Sequence, residues 1–250
     1  MNDQRIYRIA GVCGLAAIGC CFVEYPFYIA RSGAFSLTDP AALIDITARN
    51  ATNSMCCVFM DFVIISLILA FAAGFRHLIL KADPRQEWLA TLFYGLVLVY
   101  LVLTLVSDCL QAAADVDALT PPANATIIRG LWESTFLMYG AAALWLMGLF
   151  MAIAAYLTFA TRALPDWSGW VACACALGCF AFVPSMFVHH VDLYSFYNPA
   201  GWGATALASG LPIAVWMVVT GILMLRKRAG GEIAVGLEGN AREMAGAPKG

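Results

Sequence analysis

Charge is what this chain has least of. Asp, Glu, Lys and Arg make up 12% of its 250 residues, against 62% hydrophobic residues, whereas a soluble domain carries about 25% charged residues. So apolar a chain cannot cover itself in water, and lipid must be the solvent for most of its surface. The net charge of −2 supplies no basic face for nucleic acid. No Pro/Gly/Ser-rich linker divides the sequence. One compact unit over 1–228 is expected, followed by a Gly-, Ala- and charge-rich tail, 229–250, expected to be disordered. The nine cysteines form no C-x-x-C pair, which removes the signature of a redox relay. H-E-x-x-H, G-x-S-x-G and phosphate-binding glycine loops are missing too, so zincin, serine-hydrolase and nucleotide readings find no support.

What is present is a series of apolar runs. Six are long enough to cross about 30 Å of hydrocarbon as helices. They fall at 8–30, 55–75, 89–113, 135–161, 168–190 and 206–225. The fold class is therefore all-α, a polytopic transmembrane helical bundle of six spans. The first run follows a short basic segment, as a signal peptide would. It is longer than a signal-peptide apolar region and holds Glu24 and Pro26. It reads as a retained span.

Connections alternate in character. Residues 76–88 and 162–167 are short and basic, whereas 31–54, 114–134 and 191–205 are poor in Lys and Arg. The positive-inside rule then sets both termini in the cytoplasm. Arg5, Arg8, Arg76, Lys81, Arg85, Arg162, Arg226, Lys227, Arg228, Arg242 and Lys249 fall inside in that arrangement, and only Arg31, Arg49 and Arg129 outside. Aromatic residues including Tyr25, Trp88, Trp132, Trp167, Trp170, Tyr197 and Trp202 lie near the expected interfaces, as a membrane belt would. Most cysteines pack as small hydrophobes. Cys56, Cys57 and Cys109 lie near outer ends of spans, where a bridge from Cys109 to either of the others is left open.

Ionisable side chains inside a bilayer cost about 2.5–3.5 kcal/mol each at a helix centre, so their placement is informative. Glu24 lies sixteen residues beyond Arg8, about 24 Å up from the inner side. Asp61 lies six residues below the outer start of its span, about 9 Å deep. Asp108 falls in the last turns of span three, Glu133 opens span four, and His189, His190 and Asp192 close span five. Five spans thus bring an acid or a histidine to the outer third. Tyr100, Thr104, Asp108, Gln111 and Asp115 recur at helical spacing and form one stripe on span three. Glu24 shares a face with Tyr28, and Asp61 shares one with Cys57 and Ser54. Pro26 and Pro184 can kink the outer halves of their helices and open a cavity there.

A plainer account stands beside this. Glu133, Asp115 and Asp192 can be solvated helix ends, the histidines interfacial, and Glu24 and Asp61 structural glue between helices. The functional expectation is an outward-facing cavity that binds or converts a small apolar molecule. Glu24, Asp61 and Asp108 are its acid–base candidates, and Tyr28, Tyr100, Thr104 and Gln111 line it. His189 and Asp192 are candidate ligands for a divalent metal. Two other classes use the same residues. A proton-coupled small-molecule transporter would relay protons through the acids, and a non-catalytic subunit or assembly factor would offer them to a membrane partner. A homo-oligomer is compatible with each.

Arg8-Ile9-Ala10-Gly11 at the first span and Ala163-Leu164-Pro165-Asp166-Trp167 between spans four and five carry a resemblance. The chain resembles a broad group of bacterial six-pass integral membrane proteins, which often begin with Arg-x-Ala-Gly and place a Leu-Pro-x-Trp turn here. The resemblance implies a bacterial inner-membrane setting. It brings no activity, cofactor or catalytic residue, and the stretch from His189 to Tyr194 is not part of its pattern.

Overall fold

A computed structural model describes residues 3–29, 39–187, 196–198 and 201–227. Among these there is no strand. The helices are α1 (Asp3–Ile29), α2 (Pro40–Ala82), α3 (Glu87–Leu119), α4 (Ala125–Phe136), α5 (Ala143–Thr161), α6 (Asp166–Phe182) and α7 (Leu211–Arg226). A π-helical turn, Leu137–Ala142, joins α4 to α5, and a second, Gly203–Gly210, leads into α7. A 3₁₀ turn, Val183–Phe187, closes α6. Six continuous helical stretches are long and apolar enough to cross a membrane, and the protein is a six-span helical membrane bundle.

The helices alternate in direction, so their ends gather on two faces. The terminal face holds the starts of α1, α3 and α6 and the ends of α2, α5 and α7. There, Asp3 accepts from His77 Nε2 at 3.0 Å and pairs with Lys81 at 3.2 Å, tying the start of α1 to the end of α2. Lys227, just past α7, lies over the Tyr7 ring at 5.9 Å, and burial lowers the pKa of its ammonium group. The opposite, distal face holds the starts of α2 and α4.

Close packing follows small residues. A Cβ on Gly11 would lie 2.7 Å from the Gly221 carbonyl oxygen of α7, and one on Gly74 would collide with the Ala10 Cβ. Ala10 and Gly11, the end of the Arg-Ile-Ala-Gly signature, are thus the contact of α1 with both neighbours. The core behind them is aromatic. Phe75 packs on Phe93 at 4.8 Å and on Trp216 at 5.3 Å, and Phe93 meets Phe150 at 6.0 Å. Outward, Trp88, Trp167 and Trp170 are exposed, as a lipid-interface belt requires.

Several sequence-based boundaries need correction. The stretches 31–54 and 114–134 read as loops, yet α2 is helical from Pro40, α3 runs to Leu119 and α4 starts at Ala125. Helix α2 has 43 residues, about 64 Å at 1.5 Å per residue, twice the hydrocarbon thickness. The reason is local. Asp39 caps the amides of Ala41 and Ala42 with Pro40 at the first helical position, and Asn124 caps Thr126 and Ile127. The overhanging ends of α2, α3 and α4 form a cap with its own apolar cluster of Leu43, Ala114, Ala118, Ile128 and Trp132. Trp132 is buried there, stacked on Phe136 at 5.7 Å, and so leaves the belt. All nine cysteines are free, so the open bridge from Cys109 is not formed.

Candidate functional site

The stripe on α3 faces inward. Thr104, Ser107, Asp108 and Asp115 are buried, and Gln111 is half-buried. From Tyr100 to Asp115 it rises fifteen residues, about 22 Å. Neighbouring helices meet it with polar groups of their own. Gln111 Nε2 donates to Ser54 Oγ of α2 at 2.8 Å. Ser107 Oγ donates to the Thr135 carbonyl at 3.3 Å, and Thr135 Oγ1 donates back to the Ser107 carbonyl at 3.2 Å. A polar column therefore descends from the cap between α2, α3 and α4.

Three carboxyl groups are distributed along its lower half. Asp108 is 6% exposed, and its Oδ2 is buried without a hydrogen-bond partner among the described residues. Glu24 of α1 is near enough for its charge to act on Asp108. The charges of Glu24 and Asp61 both act on Cys21. Asp61, Cys21 and Cys179 of α6 act on Tyr100. Glu24 and Asp61 are half-buried. Groups from α1, α2, α3 and α6 are thus linked by pairwise electrostatic contacts along the lower half of the column. Below, the column stops. Tyr100 packs on Phe150 at 5.6 Å, and beneath it Phe93, Phe75 and Trp216 form an apolar floor.

Irregular backbone lies in the same distal half. The π-helical turns at Leu137–Ala142 and Gly203–Gly210 fall in the distal parts of their spans, and the 3₁₀ turn Val183–Phe187 holds Pro184. Irregular backbone at membrane depth persists only where protein or a wet cavity surrounds it, and π-turns recur at functional sites.

Of the residues singled out from the sequence, Glu24, Asp61, Asp108, Tyr100, Thr104 and Gln111 belong to this region. The Tyr28 side chain, and His189, His190 and Asp192 entirely, lie outside the described residues. Among the described residues no three His, Cys, Asp or Glu side chains gather closely enough to hold a metal ion. Two placements are corrected. Asp115 is no solvated helix end; it is 1% exposed because the cap covers it. Glu133 does not open a span; it sits within α4, exposed, accepting from Arg129 Nε at 2.7 Å. That ion pair lines a separate groove of about 400 Å³ between the starts of α2 and α4. Sequence reasoning missed Ser107 and Thr135. Ser107 follows Thr104 by three residues, a helical interval that marks it as part of the stripe.

Compared with protein-family models, curated proteins and solved structures, the chain matches none. The function is therefore read from its own residues.

Proposed function

We propose that the protein admits a small molecule from the outer face of a bacterial inner membrane and holds it against Asp108, Glu24 and Asp61 for acid–base chemistry, with both termini in the cytoplasm. The observation that carries this reading is the one-sidedness of the polar column. It runs from the cap to Tyr100 and ends on the floor of Phe150, Phe93 and Phe75. A carboxyl group buried beside a substrate can give or take a proton within hydrogen-bond reach, and Asp108 has an oxygen left over for that contact. The orientation rests on the basic residues. Arg5, Arg8, Lys81, Arg85, Arg162, Arg226 and Lys227 lie toward the terminal face, which the positive-inside rule assigns to the cytoplasm.

A transporter needs a polar path that continues past Tyr100; the core there is mainly apolar, and its buried hydroxyls are few and scattered, Thr158 and Ser168 donating locally to the Ala154 and Pro165 carbonyls and Thr220 standing on α7. A partner-binding subunit needs its acids on the surface, and Asp108 is buried. Hydroxyl-radical footprinting of the protein in lipid nanodiscs separates the three readings, because radicals form where water reaches. The expected pattern is oxidation at Tyr100 and Cys21, with Met151 and Met217, which follow the floor residues Phe150 and Trp216 toward the terminal face, spared. Oxidation continuing through those methionines would support a transporter. Protection of the whole column would leave a closed bundle and overturn the proposal.

A further inference from the structure

We infer that the molecule held at this site is a small organic ammonium ion, a cationic head on an apolar body. The inference rests on the reading of the column as a binding site and adds the chemistry of its ligand.

The argument begins from a missing donor. Asp108 Oδ2 is buried and no described donor reaches it. The side-chain donors nearest along α3 are directed elsewhere. Thr104 Oγ1 donates to the Tyr100 carbonyl, Ser107 Oγ to the Thr135 carbonyl, and Gln111 Nε2 to Ser54 Oγ. In its ionised form a carboxylate only accepts, and a molecule that matches that form brings the donor. Buried polar groups are seldom left unmatched, which makes such an oxygen informative.

Charge narrows the choice. Glu24 acts on Asp108, and Asp61 acts on Cys21 and Tyr100 lower in the same column, so the site carries three acids. Both described arginines on the distal side are engaged by acids one helical turn away, Arg49 by Asp45 and Arg129 by Glu133. An anionic ligand would meet repulsion from each carboxylate. A neutral alcohol could supply one donor but no charge. A primary ammonium supplies three donors and the opposite charge, and charge-assisted hydrogen bonds are roughly twice as strong as neutral ones. The floor suits the apolar end of such a molecule: Tyr100 lies eight residues or about 12 Å down α3 from Asp108, where it packs edge to face on Phe150.

The test is equilibrium dialysis of radiolabelled hexylammonium against the full chain in zwitterionic nanodiscs, with hexan-1-ol as the neutral counterpart and empty nanodiscs subtracted. Saturable binding of hexylammonium, tighter than hexan-1-ol by at least about tenfold, is expected from the added charge-assisted bonds. D108N should lower that affinity by at least about tenfold. Should D108N fail to fold, E24Q and D61N at the half-buried acids locate the site instead. Equal binding of amine and alcohol would overturn the ligand class and leave the binding site standing. Saturable binding of neither would sink the site itself. Ammonium binding untouched by all three substitutions would place the ligand elsewhere and overturn the inference.

Discussion

Ser107 and Thr135 exchange hydrogen bonds across the interface of α3 and α4, each hydroxyl donating to the other residue's carbonyl, at 3.3 and 3.2 Å. Both residues are buried. The exchange sits one residue before Asp108 and one before the last residue of α4, beyond which the π-helical turn begins. It fixes α3 against the point where the fourth span departs from regular helix.

Thr135→Val should therefore cost about 1 kcal/mol of stability, since interhelical hydrogen bonds in membranes are worth about 0.6 on average and up to about 1.7. Ser107→Ala should cost a similar amount. The two should be coupled, because each removes one bond of the same reciprocal pair. Reversible unfolding in mixed micelles, read as a double-mutant cycle, checks this. Strict additivity would mean that the two bonds act independently.

The seam of small residues makes a second prediction. A side chain at Gly74 collides with Ala10, so Gly74→Ala should destabilise by about 1–3 kcal/mol, the usual cost of overpacking. Adding Ala10→Gly removes the colliding methyl group and should recover most of that loss. Unfolding midpoints of the single and double variants are the measurement. A double variant no better than Gly74→Ala would place the strain elsewhere.

These contacts show what the sequence could and could not disclose. Hydropathy located the six spans because lipid demands an apolar run of fixed length. It could not locate the cap, since α2, α3 and α4 outrun the bilayer in segments that are helical for other reasons. Those reasons were nonetheless written in Asp39-Pro40 and Asn124, an N-cap with a following proline and a second N-cap. The α3 stripe was visible in its spacing, but spacing does not say which neighbour a face meets. Trp132 was assigned to the belt on composition alone, and only the cap explains its burial. The π-helical turns have no local signal strong enough to read.

The cap should be separable from the spans. Trp132 is 7% exposed and stacked on Phe136, and Trp→Ala in a packed core costs about 3–5 kcal/mol. Trp132→Ala is expected to speed amide exchange in the distal ends of α2, α3 and α4 while leaving the core of the bundle protected. Hydrogen-exchange mass spectrometry resolves the two. Uniform loosening would show that the cap and the spans are one cooperative unit.

Orientation is tested by fusion. Alkaline phosphatase inserted between Leu119 and Asn124 should be active if the proposed orientation, with that turn on the outer side, holds. Green fluorescent protein after Lys227 should fluoresce in the cytoplasm. The reverse pattern would invert the topology and with it the side from which the column opens.

The aromatic floor yields the sharpest contrast. Phe150 is buried, with Tyr100 on one side and Phe93 on the other. Phe150→Ala should cost about 3–5 kcal/mol through lost packing and the cavity left behind. That cavity is walled by apolar groups and should stay dry, because a buried water needs roughly two to four polar partners. Radical oxidation of Met151, one residue along, should therefore not rise. Phe150→Asn offers an amide in the same place, and if the column admits water as proposed, it should wet the floor. Oxidation of Met151 should then increase even if the overall destabilisation is similar. Polarity, and not the size of the gap, would then set where water stops. If Phe150→Ala alone admits water to Met151, the barrier is steric, and the column is held closed by the bulk of one ring.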